Sequence, residues 1–138
     1  MRHAPLLRLG AVGSVLVLGI PGCGSDEPTT PSSGEPVSVT VSLATPNVDD
    51  GALLIVVRGA GPPSIQPVSN TYQVYWRLAK AGETRVIVVG HITAGPLFTA
   101  GAGPGASAAE ITASVEEVAT RTNELRASTT GYILTLSR

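Results

Sequence analysis

Few side chains in this chain have the type and spacing to do chemistry. Cys23 is the only cysteine, and it sits in the stretch GIPGCG, residues 19–24. His3 and His91 are the only histidines, so no set of Cys and His with zinc-ligand spacing can be assembled. A Ser-His-Asp triad within the body of the chain would have to use His91, and no G-x-S-x-G elbow is present to present a serine. The run NVDDG offers Asn47, Asp49 and Asp50 as oxygen ligands, but the D-x-[DN]-x-[DN]-G spacing of a calcium loop is not met. Asp50-Gly51 is itself a turn signal, so the run reads as a turn. The stretch GAGPG at 101–105 has no Gly-Lys-Ser/Thr after it, and Pro104 removes an amide that a phosphate cradle would use. Glu116 and Glu117 are adjacent, which places them on opposite faces of a strand or about 100° apart on a helix, a poor arrangement for an acid/base pair.

One set remains. Tyr75, flanked by Gln73 and Arg77, shares with them one side of a predicted strand. An aromatic ring bordered by polar groups can stack on a sugar or on a partner's side chain, so these three are the candidate ligand-binding residues. The competing reading is an ordinary solvated strand surface with cross-strand pairs. The sequence therefore predicts no enzyme, no metal and no cofactor. Net charge is −1 over 138 residues, which argues against a nucleic-acid partner, since such proteins carry a basic stripe.

The N-terminus has its own logic. Arg2 and Arg8 precede twelve uncharged residues, Leu9 to Ile20, and then Pro21, Gly22 and Cys23. A basic start, a short apolar run and small residues form an export signal. The apolar run falls short of the roughly 20 residues a membrane-spanning helix needs, and Pro21 would end a helix there, so a plain transmembrane anchor is the weaker reading. Ile20-Pro21-Gly22-Cys23 resembles the lipobox of bacterial lipoproteins, although Pro21 departs from the commonest residue at its place. The resemblance implies cleavage between Gly22 and Cys23, a diacylglycerol on Cys23 Sγ, and often an acyl group on the new amine. It further implies an address in the cell envelope, anchored to membrane. With Gly24 rather than Asp after the cysteine, the outer membrane is favoured where two membranes exist. The alternative for Cys23 is a free or cross-linking thiol in an exported chain.

Ser25 to Pro36, SDEPTTPSSGEP, holds three prolines and no large apolar residue, so it cannot bury enough surface to offset chain entropy. It reads as a spacer. Loss of Arg2 and Arg8 with the signal takes the nine basic residues to seven against ten acidic ones, which disfavours added attraction to anionic lipid. The organisation is then a signal peptide over 1–22, a lipidated cysteine and linker over 23–36, and one domain over 37–138.

That domain is written in short strands. VSVTVSL alternates strictly from Val37 to Leu43. ALLIVVR, 52–58, is a continuous apolar run that fits a sandwich-core strand. GAGPPSIQPVSN carries Pro62, Pro63 and Pro67 and reads as loop or edge. NTYQVYWRL alternates again and puts Tyr72, Val74, Trp76 and Leu78 on a core face. TRVIVVGHI, a short strand at 97–100, a flexible Gly-rich loop and the closing YILTL follow. Residues 108–126 are ambiguous. Helical spacing lines up Ile111, Val115, Val118, Thr122 and Leu125. Period 2 lines up Ile111, Ala113 and Val115 but loses Val118. Because the last strands of a sandwich must pair, the expectation is a strand over about 110–118 and a loop or short helical turn over 120–128.

Seven or eight strands in about a hundred residues match an all-β, immunoglobulin-like sandwich in size. GALLIVVRG, VIVVGHITAGPLF and ASVEEVATRTNELRASTTGYILTL together resemble the layout of cohesin-type and related Ig-like modules of exported bacterial proteins. That resemblance implies a surface interaction module. The predicted function is a lipid-anchored, non-catalytic interaction or structural module of the envelope whose partner, an envelope protein or a glycan, the sequence does not identify. The alternative is a glycan or small-ligand module on the same surface.

Overall fold

The computed structural model describes residues 37–59, 64–102 and 106–138. The signal, Gly22, Cys23 and the linker lie outside them, as do Pro62, Pro63 and the 103–105 part of the Gly-rich loop. Eight strands form in chain order: β1 Ser38–Ala44, β2 Asp50–Arg58, β3 Ser64–Pro67, β4 Tyr72–Lys80, β5 Glu83–Ile92, β6 Gly95–Gly101, β7 Thr112–Thr120 and β8 Ile133–Ser137. They make two antiparallel four-stranded sheets, ordered β3-β6-β1-β8 and β4-β5-β2-β7. The architecture is the all-β sandwich that the strand spacing predicts.

The period-2 pattern sets which side chains meet. Val39, Val41 and Leu43 of β1 face Leu53, Ile55 and Val57 of β2 across a core that Val86, Val88, Leu97, Phe98 and Val118 complete. Phe98 is the only phenylalanine, so branched aliphatics fill the rest of the interior. Tyr72 joins the layers directly: its hydroxyl donates to the carbonyls of Pro96 and Leu97 in β6, at 2.6 and 2.7 Å. The β4–β5 hairpin turns through Ala81 and Gly82, whose φ of 72° suits glycine. Glu83, buried at the start of β5, is held by Arg58 Nε at 3.2 Å and Lys80 Nζ at 3.4 Å.

The ambiguous segment is a strand, moved along the chain. A single 3-10 turn, Ala108–Glu110, comes first, capped by Ser107 and Glu110 on each other's backbone amides. β7 then runs to Thr120, and 121–126 is the loop of the two alternatives, folded back beside the strand. The register explains why strict alternation lost Val118. Ile55 pairs with Val115 and Leu54 with Glu117, so Glu116 is an extra residue, a β-bulge. The bulge restores Val118 to the inner side, where it is buried. It also leaves both Glu116 and Glu117 exposed, not on opposite faces as a regular strand would place them.

β3 falls within the segment read as loop or edge, and it is an edge strand. The expected core position of Trp76 is overturned. Tyr72 and Val74 pack against the core, but Trp76 is 47% exposed and Leu78 51% exposed. Their ladder partners Val86 and Thr84 are buried, so the side of the strand was read correctly. Both side chains stand in solvent on the core-facing side of an edge strand, so there alternation no longer reports burial.

Candidate functional site

The outer side of the β4-β5-β2-β7 sheet collects the predicted residues. Antiparallel pairing sets three rows across it. Tyr75, Ile87, Leu54 and Glu117 form the middle row. Gln73, Val89, Ala52 and Ala119 form one flank, and Arg77, Arg85, Val56 and Ser114 the other. Tyr75, Gln73 and Arg77 are therefore on one exposed side, as the sequence predicts, and the Tyr75 hydroxyl donates to Gln73 Oε1. That bond turns the ring's polar end toward its own strand, and Ile87 pairs with Tyr75 on the neighbouring strand.

Two shallow hollows adjoin on this surface. One, of about 230 Å³, is lined by Leu54, Tyr75, Trp76, Arg77, Arg85 and Ile87. The other, of about 190 Å³, shares Leu54 and Ile87 with it and ends at Leu125 and Glu117. Tyr75, Ile87, Val89 and Leu125 are all exposed, so an apolar strip crosses the sheet. Charges border it: Arg77 and Arg85 lie along one flank, where Arg85 Nη2 is 3.6 Å from Glu116 Oε2, and Glu117 stands at the β7 end. Sequence reasoning found Tyr75 and its neighbours but missed Ile87, Val89 and Leu125. The signal was available in VIVVGHI, where the residues alternating with core Val86 and Val88 are apolar instead of polar.

A second polar cluster lies where the β1–β2 turn meets the C-terminal segment. Asp50 is fully buried. Its Oδ2 accepts from Thr45 Oγ1 at 2.6 Å. Its Oδ1 accepts from Arg126 Nε at 2.9 Å and from the Tyr132 hydroxyl at 2.7 Å, and Arg126 Nη2 lies 2.8 Å from the same oxygen. Asn47 Nδ2 donates to the Tyr132 oxygen at 2.7 Å, and Arg126 also holds Asp49. The NVDDG run is thus a turn whose carboxylates are occupied by protein donors. Gly51 is required beside it, because a Cβ there would lie 2.8 Å from the Arg121 Cα. Arg126 and Tyr132 reach this turn from about eighty residues away, and no sequence pattern announces the pairing.

These environments give a pH signature. The Arg126 hydrogen bond holds the Asp49 carboxyl below the usual range. Burial pushes the Tyr72 and Tyr132 phenols up. A lowered carboxyl contributes stability that is present above about pH 4 and lost as pH falls through its folded value. A raised phenol contributes stability that is present below about pH 10 and lost as pH rises toward its folded value. Urea unfolding midpoints should therefore fall at both extremes, and Tyr72→Phe should flatten the alkaline limb while lowering the neutral midpoint slightly. An unchanged alkaline limb in that variant would contradict the burial of this hydroxyl.

His91 is exposed near the end of β5, and among the described residues no group of three His, Cys, Asp or Glu side chains could hold a metal ion. Comparison with protein-family models, with curated proteins and with solved structures finds no match for the chain.

Proposed function

We propose that this chain is an envelope lipoprotein that uses its sandwich as a non-catalytic interaction module. Cys23 carries the lipid after cleavage behind Gly22, residues 24–36 are the spacer, and the domain from 37 presents the outer side of its β4-β5-β2-β7 sheet to an envelope protein. The anchor rests on the lipobox resemblance of Ile20-Pro21-Gly22-Cys23. The interaction role rests on one observation above all: the exposed strip of Tyr75, Ile87, Val89 and Leu125, bordered by Arg77 and the Arg85–Glu116 pair along one flank and by Glu117 at the β7 end. Contiguous apolar surface rimmed by charge is characteristic of protein-binding faces. The cohesin-like layout agrees with a surface interaction role, although a fold by itself confers none. No nucleic-acid partner, metal or cofactor enters this reading.

The hollow beside Tyr75 favours a second reading, a glycan or small-ligand module. Tyr75 offers a stacking face there, and Gln73, Arg77 and Arg85 offer hydrogen bonds. Two substitutions separate the readings. Ile87→Asp puts a charge in the middle of the strip and should abolish cross-linking to envelope proteins in intact cells while leaving co-sedimentation with peptidoglycan as in wild type. Tyr75→Ala should abolish co-sedimentation with peptidoglycan only under the second reading. If neither variant changes either readout, this side of the sheet binds nothing and both readings fail.

A further inference from the structure

The edges of the two sheets are unequally protected. A free strand edge is a row of unpaired amide and carbonyl groups, and folded proteins shield it with short strands, proline, bulges or covering segments. β3 has four residues and contains Pro67. β8 has five residues. β7 carries the Glu116 bulge, and its outer edge is occupied: Arg126 N–H donates to the Val118 carbonyl at 2.9 Å and Thr120 N–H to the Glu124 carbonyl at 2.9 Å. β4 has none of these devices along most of its length. It runs nine residues without proline, its one register shift falls at the end between Leu78 and Lys80, and among the described residues no strand pairs its outer edge. Every residue from Tyr75 to Lys80 is exposed, including Trp76 and Leu78 on the core-facing side.

We propose that β4 pairs with β4 of a second copy of this chain, antiparallel about a two-fold axis at Trp76, and joins the two β4-β5-β2-β7 sheets into one of eight strands. The occupant is argued from the strand's own sequence. In an isologous contact each residue i faces j and each j faces i. Centred on Trp76, the register sets Val74 opposite the partner's Leu78 and Trp76 opposite the partner's Trp76. These three apolar pairs cover the exposed Trp76 and Leu78 side chains. On the other side the register sets Tyr75 opposite the partner's Arg77, an aromatic–cation pair made twice. The neighbouring registers fit worse. Centring on Arg77 opposes two guanidinium groups. Centring on Leu78 sets Trp76 against the partner's Lys80. Centring on Tyr75 carries Lys80 past the strand to the partner's Asn70, in the bent connection before β4. The contact shares Tyr75 and Arg77 with the outer-face reading above, but it is read from the sedimentation of copies of this chain and not from capture of an envelope protein.

Because position 76 faces itself, the test is a charge swap. The full chain, purified in non-ionic detergent, should sediment as a dimer at micromolar concentration. W76K and W76E should each weaken the dimer at least about thirtyfold, the loss of a hot-spot residue, and sediment as monomers. Both should keep the wild-type cooperative unfolding transition, since position 76 is half exposed in the monomer. An equimolar mixture of W76K and W76E should re-form a dimer containing one of each. A monomeric wild type, a W76K chain that dimerises as tightly as wild type, or two folded variants that stay monomeric when mixed would overturn the proposal.

Discussion

Arg126→Ala should lower the stability of the domain by about 3–5 kcal/mol, the cost of leaving a buried charge without its partner. That is a large share of the ~5–15 kcal/mol that holds a typical domain together. The reason lies in Asp50. With Arg126 in place the Asp50 side chain is 0% exposed, and the guanidinium that contacts Oδ1 at 2.8 and 2.9 Å is its charged partner. Thr45 and Tyr132 would remain as neutral donors, insufficient for a full carboxylate charge. Asp49, also held by Arg126, is half exposed and would simply rehydrate. The contrast is Arg85→Ala, which removes a partly exposed pair with Glu116 and should cost no more than about 1 kcal/mol. Asp50→Asn should be milder than Arg126→Ala, since an amide oxygen still accepts from Arg126 and Tyr132 while no charge is buried. In the Asp50→Asn background, Arg126→Ala should cost about 2 kcal/mol less than it does alone, the range expected for groups in one network. Urea unfolding of the four chains completes the cycle. A loss below about 1 kcal/mol for Arg126→Ala would mean that water reaches Asp50 and the network is not closed.

Cys23→Ser should move the protein from the membrane fraction to the aqueous fraction and abolish labelling by a clickable fatty acid. The size of the effect follows from the anchor. Each buried methylene contributes about 0.8 kcal/mol, one acyl chain binds marginally, and two or more bind stably. Serine offers no thiol for the thioether and so removes every chain at once. Nothing else in the sequence compensates. The apolar run Leu9–Ile20 is shorter than the roughly 20 residues a helix needs to cross hydrocarbon, and among the described residues no helix is long and apolar enough to do so. The acidic balance behind Cys23 adds no attraction to anionic lipid. Unchanged membrane partition of Cys23→Ser would refute the lipid tether.

Much of the fold was legible because a two-sheet core imposes period 2 on the chain. Val39, Val41 and Leu43, or Val86 and Val88, declare their side of the sheet by alternation alone. Legibility ended where one residue broke the period or where the environment depended on distant segments. Glu116 is a single inserted residue, and it turned the pattern of β7 into one that a helix could mimic. Trp76 follows the alternation of β4 faithfully, yet burial also needs something packed over it, and that is not written in the strand. The candidate site divides the same way. Tyr75, Gln73 and Arg77 were readable as one exposed side because they belong to one strand. Their joining with Ile87, Leu54 and Leu125 depends on pairings among β4, β5, β2 and β7, which local sequence does not specify. The Asp50 network is the extreme case, since a turn carboxylate among Asn and Gly looks solvated until Arg126 and Tyr132 close over it.

The proposed tether would decide where every other property of this chain operates, and mass spectrometry of the N-terminal peptide from membrane-extracted protein tests it directly. The expected peptide begins at Cys23 and carries the mass of a diacylglyceryl thioether. A peptide that begins at Met1, or one that begins at Cys23 with a free thiol, would contradict it.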